Sequence, residues 1–356
     1  MYLDKYIEEH GKQTDYPIFD DVIYKDIDFP TNDLFLAQFK GMNFNAIDIV
    51  VKYLAIENYY GLNDFGFDLY KKMQMLRTGK DWNDRFISLI KSVENSYDNE
   101  SKIETDLNYS IHDGAHRTAL ALFHNKKNVP VRLFNTSIYR RSYDLSWFYE
   151  NLFTKEELEI IKNKFNEIVE MINEPYYCIL WTPARNKFDE IEKDISKISS
   201  DVSILSSENI SIKKENIKKF IYDIYSTDDI KTEKLDKKYS AMIKSLEMDD
   251  YNSLDYIIRV LKLNLKYPDF RVKPMTGLPQ SKETMKLKQI IRDTFKAYVT
   301  EYYYDIIMHV TDNTIQNREV EKILEKERII NKWKRKLLEW FHQEWIVQDF
   351  LVRHLR

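Results

Sequence analysis

Apolar positions recur along this chain at two spacings, near 3.6 and 2, and their alternation sets out a mixed series of helices and strands. In residues 45–60, Ile47, Val50, Val51, Leu54 and Ala55 fall on one helical face. Phe86, Leu89, Ile90 and Val93 do the same across residues 85–93. Strands are predicted at Val22-Ile23-Tyr24 with Ile27, ended by Pro30, at Leu107, Tyr109 and Ile111, and at residues 129–134 after a polar turn at 125–128. Residues 118–123 read as a helix. The order is therefore helix, strand, turn, helix, strand.

From Ser142 the pattern changes. Trp147, Phe148, Leu152 and Phe153 make an aromatic linker, and Thr154 followed by Glu157 forms a capping box for a helix running to about Asn173. Pro175 stops that helix, and residues 177–181 read as a buried strand ending at Thr182-Pro183. Further strands are expected at 202–205, 210–212 and 256–265, and helices at 215–225, 281–310 and 314–343. Residues 189–207 are rich in Lys, Asp and Ser, yet Ile191, Ile195 and Ile198 keep a helical period. The expected fold class is α/β (α+β), with a module at 1–140, a helical linker at 141–175 and a second mixed α/β domain at 176–356 ending in long helices.

Composition narrows the class. With 356 residues and 43.0 kDa the chain can hold two cores, and 43% hydrophobic against 31% charged residues is a globular balance. Cys178 is the only cysteine, so the chain has no internal disulfide and no cysteine-based zinc site. Met1-Tyr2-Leu3-Asp4-Lys5 lacks the basic and apolar parts of a signal peptide, and no apolar run nears the roughly 18 residues of a membrane span, which predicts a cytoplasmic protein. Residues 1–135 carry 21 Asp and Glu against 16 Lys and Arg, which argues against duplex binding by this part.

The densest chemistry lies in Ile111-His112-Asp113-Gly114-Ala115-His116-Arg117. Gly114 permits a tight turn, and the N–H groups after it open a helix whose positive end stabilises an anion. Arg117 can grip a phosphate with its forked donors, and Asp113 can hold a metal or take a proton. Equally, Asp113 can cap the helix while Arg117 pairs with a surface carboxylate. Arg85, Ser88 and Ser92 share one helix flank, and Arg77 and Lys80 bracket Gly79, either steering phosphate or forming a solvated helix end.

This order and these residues resemble the ParB/sulfiredoxin superfamily over about residues 70–135. The helix Arg85-x-x-Ser88-Leu89-x-x-Ser92-Val93 resembles the sulfiredoxin helix that offers a basic residue and two hydroxyls to ATP. The turn Asp113-Gly114-x-His116-Arg117 resembles the phosphate turn in its free-serine-kinase form, and Val129-Pro130-Val131 the last core strand. The resemblance implies a nucleotide-dependent kinase acting on the hydroxyl of a small metabolite, with ATP or another nucleotide and magnesium. Arg117, His116 and the backbone at Gly114, Ala115 and Thr118 would hold phosphates, Arg85, Ser88, Ser92, Arg77 and Lys80 would add contacts, and Asp113 would be the base or magnesium partner. Ala115 stands where sulfiredoxins carry cysteine, which argues against sulfinic-acid reduction. The glutamate that the serine kinases add from an earlier segment has Glu57 as its one candidate. The same resemblance also admits a non-catalytic NTP switch, or a nucleic-acid-associated protein of partition, mobile-element or phage-defence type. A cell-envelope or polysaccharide precursor pathway is one setting for such a fusion.

The second half offers further candidates. Arg271 and Lys273 before Gly277 suit an anion, and His309 with Asp312, expected at a helix end, can share a metal or a proton or serve as dipole and cap. Trp181-Thr182-Pro183-Ala184-Arg185 occupies a strand-to-helix turn. Residues 326–336 hold six basic residues and one acidic with Trp333 among them, and Leu337, Trp340, Phe341 and Trp345 follow. Such a helix over 326–345 suits peripheral membrane contact, docking on its own domain, or dimerisation, and keeps the nucleic-acid alternative open.

Overall fold

In the computed structural model, residues 22–42, 47–95, 97–137, 143–228, 230–265, 267–274, 276–303, 305–330 and 332 are described. The fold is mixed α/β, and the chain divides into two compact units, Met1–Glu174 with Lys266–Met285, and Pro175–Leu265 with Lys286–Arg356.

In the first unit, β1 (Tyr24–Pro30) leads into α1 (Thr31–Leu36) and a 3-10 turn (Ala37–Met42). Three helices follow, α2 (Ile47–Tyr59), α3 (Gly66–Thr78) and α4 (Asn83–Asn95). Then come β2 (Ile103–Thr105), β3 (Ile111–Asp113), α5 (Ala115–Phe123) and β4 (Asn128–Phe134). The unit's helical tail is α6 (Leu145–Glu150) and α7 (Lys155–Ile172). The sheet order is β1-β4-β2-β3, with β4 and β2 parallel and the other pairs antiparallel.

Hydrophobic spacing explains much of this. Phe86 and Ile90 are buried as their helical period requires, each contributing about 1.5–3 kcal/mol. The Thr154–Glu157 capping box is present at the start of α7. The expected linker at 141–175 is no separate segment. Phe148, Phe153, Ile161 and Phe165 belong to the same core as the sheet.

One expected strand is a turn. Leu107 and Tyr109 alternate like strand residues, but the Asp106 carboxylate accepts N–H bonds from Asn108 (2.8 Å) and Ser110 (3.1 Å), and Tyr109 sits at φ 59°. That side-chain turn shortens the strand to Ile111–Asp113 and leaves Ile103–Thr105 as its partner.

The second unit opens with β5 (Tyr176–Leu180), a 3-10 turn (Thr182–Lys187), α8 (Phe188–Ile198) and β6 (Val202–Lys213). It continues with α9 (Ile217–Ser226), α10 (Thr232–Met248) and β7 (Asp255–Leu265). The two strands expected at 202–205 and 210–212 are one strand with an irregular register between Ile204 and Ser206. Helix α10 was not anticipated, although Leu235, Met242 and Leu246 are buried at helical spacing.

The chain then returns to the first unit as a hairpin of β8 (Phe270–Val272) and β9 (Pro279–Ser281). Phe270 and Val272 enter that unit's core, and the Tyr109 hydroxyl donates to the Gly277 carbonyl at 2.9 Å. This excursion corrects the expected single domain over 176–356. Helix α11 (Lys282–Phe295) leads back into the second unit, followed by a 3-10 turn (Lys296–Tyr298) and β10 (Met308–Val310). The helix expected over 281–310 ends at Phe295, followed by extended backbone at Val299, and it does not resume before β10, since Glu301 and Asp305 take positive φ, 53° and 58°, which a right-handed helix cannot carry. The second sheet is antiparallel, in the order β10-β5-β7-β6.

A last helix, α12, covers 314–330, and the expected continuation to 343 lies outside the described residues, as does most of the basic segment 326–345. Among the described residues, no helix is long and apolar enough to cross a membrane.

Candidate functional site

A cavity of about 520 Å³ lies in the first unit between α4, the end of α3 and the mouth of α5, within the range of small-molecule pockets. Its walls bring together Asp113, Gly114, His116 and Arg117 from the turn and Arg85 and Ser92 from α4.

The turn forms because only glycine fits. Gly114 has φ 102°, and a β-carbon there would lie 2.9 Å from Cγ1 of Ile103. As N-cap of α5, its carbonyl accepts the Thr118 N–H at 2.9 Å and the Thr118 hydroxyl at 3.1 Å. The N–H groups of Ala115, His116 and Arg117 precede the first such bond and have no acceptor within the helix. Thr118 is thus buried and committed to the backbone, and neither its side chain nor that of Ala115 lines the cavity.

Arg117 is the principal cation of the wall. Its side chain is 16% exposed, its Nη2 lies 3.4 Å from Oδ2 of Asp113, and its Nη1 is buried with no hydrogen-bond partner. The long ion pair leaves a guanidinium with spare donors facing a cavity. Asp113 is 67% exposed and accepts the Gly114 N–H at 2.7 Å, but the N-cap of α5 is Gly114 and carries no side-chain cap bond, so the alternative in which Asp113 caps the helix is not realised and its carboxylate stands at the rim.

His116 is held rather than free. The Tyr70 hydroxyl lies 2.8 Å from its Nε2, and the imidazole meets the edge of Phe86 at 4.7 Å between centroids. Burial, reinforced by the Lys52 charge, pushes His116 well below the usual histidine range, so it stays neutral and cannot hold phosphate by charge. Tyr70 is pushed up to about 12 by its own burial and keeps its proton.

Helix α4 supplies the outer wall. The Arg85 guanidinium stands 5.1 Å from the centroid of Trp82, and the Ser92 hydroxyl donates to the Leu89 carbonyl at 2.7 Å. Ser88, one turn away, is exposed, bonded to Asp84, and not part of the wall.

Arg77 and Lys80 are not brought to the cavity. Arg77 donates to Oδ2 of Asp48 at 3.0 Å and lies 3.9 Å from the Tyr143 ring centroid, while Lys80 is exposed near Trp82. Asp48 also takes Lys52 at 2.5 Å, forming a buried triad. Glu57 pairs with Lys164 at 2.9 Å and does not line the cavity either.

The residues that spacing did not supply are aromatic and acidic. Trp82 and Tyr97 join Phe86, already placed by the period of α4, as flat apolar walls, with the Tyr97 hydroxyl donating to the Arg117 carbonyl at 3.3 Å. Tyr97 is pushed up to about 12 by burial. Asp98 is also in the wall, and hydrogen bonds from Ser101 and from the Glu100 and Ser101 N–H groups hold its carboxyl below the usual range. The signal in the chain was the placing of Trp82 just before α4 and of Tyr97-Asp98 just after it, which puts all three at the ends of a helix already identified.

Among the described residues no group of three His, Cys, Asp or Glu could hold a metal ion. Asp113, with one oxygen only loosely paired, suits a magnesium ion that arrives already coordinated by phosphates, which needs one or two protein carboxylates.

The second group of expected residues is dispersed. Arg271 is tied to Gln280 across the β8–β9 hairpin at 2.7 Å, and neither it nor Lys273 lines the cavity. His309 lies on a strand, not at a helix end, and faces Asp228 at 3.3 Å. Asp312 pairs instead with Lys288 at 2.6 Å, so the expected His309–Asp312 couple does not form. No family model, curated protein or solved structure matches this chain.

Proposed function

We propose that the first unit binds a nucleotide in the cavity at Arg117 and acts as a cytoplasmic, nucleotide-dependent phosphotransferase on the hydroxyl of a small metabolite. The observation that carries this reading is the Arg117 guanidinium, with a buried Nη1 that lacks a partner, beside the open N–H groups at the start of α5. Such donors favour an anion of several oxygens. The aromatic walls at Trp82, Phe86 and Tyr97 suit the flat apolar face of a base. The likeness of the Asp113-to-Arg117 turn to the kinase form of the phosphate turn points the same way.

In this reading Arg117 and Arg85 grip the phosphates, and Tyr97 and Trp82 orient the base. Asp113, exposed at the rim, takes the proton of the acceptor hydroxyl as its oxygen bonds to the terminal phosphorus. The phosphorus-to-oxygen bond of the nucleotide breaks, and its electron pair leaves with the nucleoside diphosphate. Magnesium bound to the phosphates supplies charge neutralisation. His116, neutral and bonded to Tyr70, positions the floor of the site rather than carrying charge.

Calorimetric titration of ATP, ADP and CTP with magnesium into the wild type and Arg117→Ala, at two salt concentrations, tests this. Losing a charged hydrogen bond of about 1.5–3 kcal/mol predicts roughly 10- to 150-fold weaker binding in the variant. No binding to the folded wild type would sink the reading. Binding without steady diphosphate release across an acceptor screen would leave a nucleotide switch instead.

A further inference from the structure

The cavity at Arg117 has a second carboxylate, which phosphate binding and proton transfer leave unused. Asp98 and Ser101 both line it, on the segment that joins α4 to β2. The backbone N–H groups of Glu100 and Ser101 donate to Oδ1 of Asp98 at 2.9 and 3.3 Å, and the Ser101 hydroxyl donates to Oδ2. These bonds fix the orientation of the carboxylate.

Counting donors and acceptors defines what the pair can take. An ionised carboxylate has about four acceptor positions and no donor, and the bonds within the loop occupy both positions on Oδ1 and one on Oδ2. One position on Oδ2 stays open. The Ser101 hydroxyl spends its proton on Asp98, so its own oxygen can only accept further bonds. Two acceptor oxygens thus stand in direct contact within one cavity wall. Their complement is a pair of neighbouring hydroxyl donors.

The groups on either side say which hydroxyls these are. Tyr97, the residue before Asp98, supplies a flat apolar face, and its hydroxyl donates to the Arg117 carbonyl. The acceptor pair therefore adjoins an aromatic surface in the part of the cavity that also holds the phosphate-binding guanidinium. A nucleotide carries a flat base and charged phosphates on one sugar, and the two free hydroxyls of a ribose are vicinal. An acidic side chain on a ribose hydroxyl is a recurrent means of recognising nucleotides. We propose, on the nucleotide reading of this cavity, that Asp98 and Ser101 together hold the ribose diol, so that the site takes ribonucleotides in preference to deoxyribonucleotides. One hydroxyl donates to Oδ2 of Asp98 and its neighbour to the Ser101 oxygen.

Calorimetric titration of the full-length protein tests this by comparing ATP with its 2′-deoxy and 3′-deoxy forms, and CTP with its 2′-deoxy form, all with magnesium. Each deoxy form is expected to bind about tenfold more weakly than its parent, the low end for a hydrogen bond to a charged group, because this pair is exposed. Asp98→Asn replaces an acceptor oxygen with an amide donor, and the gap between ATP and its deoxy forms is expected to shrink to about twofold. Ser101→Ala removes the other acceptor and is expected to narrow the gap in the same direction. Deoxy forms that bind the wild type within about twofold of their parents overturn the proposal and leave the nucleotide reading standing. Absence of binding by every one of these nucleotides removes that reading and the proposal with it. Both outcomes are read on the wild type and need no variant to fold.

Discussion

Gly114 and Ile103 touch so closely that no side chain fits between them: a β-carbon on Gly114 would stand 2.9 Å from Cγ1 and 3.2 Å from the α-carbon of Ile103. The Asp113-to-Arg117 turn is therefore locked from below by strand β2. Gly114→Ala combines this overlap with an unfavourable φ of 102° and is expected to cost about 2–4 kcal/mol. Urea unfolding checks it, with a lower midpoint at unchanged slope as the expected result.

The Tyr70–His116 contact predicts a pH effect of defined sign. His116 has its folded pKa below its unfolded value, so between the two the unfolded chain binds a proton that the folded chain refuses. Stability contributed by this group is therefore full above about pH 6.5 and declines as pH falls below it. NMR of the imidazole should show no titration through pH 6.5 in the native protein. Tyr70→Phe removes the 2.8 Å hydrogen bond, costs about 1 kcal/mol, and leaves His116 neutral because burial, not the hydroxyl, sets its charge.

These two features were unequally legible in the chain. The Gly114 turn was readable because a glycine between a short apolar strand and a helical period has few other uses. The capping box at Thr154, the faces of α2 and α4, and strands β1 and β4 were readable for the same reason: local spacing decided them. Pairings between distant segments were not. Arg77 looked like a phosphate contact because its partner Asp48 lies 29 residues away, and His116 looked cationic because nothing in its neighbourhood of the chain announces Tyr70 or Lys52. The return of β8 and β9 to the first unit was hidden likewise, since their apolar residues read equally well in either core.

The Asp48 triad predicts a large loss from a small change. Asp48 is 1% exposed and takes both Lys52 at 2.5 Å and Arg77 at 3.0 Å. Asp48→Asn keeps the shape and removes the negative charge that Lys52 and Arg77 share, which is expected to cost about 3–5 kcal/mol. Chemical denaturation measures this. A change under about 1 kcal/mol would mean that water already reaches these cations.

Lys238 predicts a stability profile opposite in range to that of His116. Its folded value of about 7 lies below the ordinary 10.5, so between the two the unfolded chain binds more protons. Native stability should therefore rise with pH across that window, by at most about 1.4 kcal/mol per unit from this one group, and should not vary with it below about 7. Several buried tyrosines, Tyr70 and Tyr97 among them, are pushed up to about 12 and act in the other direction only above their ordinary range near 10. The informative quantity is thus the difference between wild type and Lys238→Met from about pH 7 to 9.5. The variant carries no ammonium into the core and should be the more stable of the two at about pH 7, with the gap narrowing as pH rises. A constant gap would mean that Lys238 stays protonated inside the fold, with its charge met by solvent or by movement of Asp228 and Asp305 toward it.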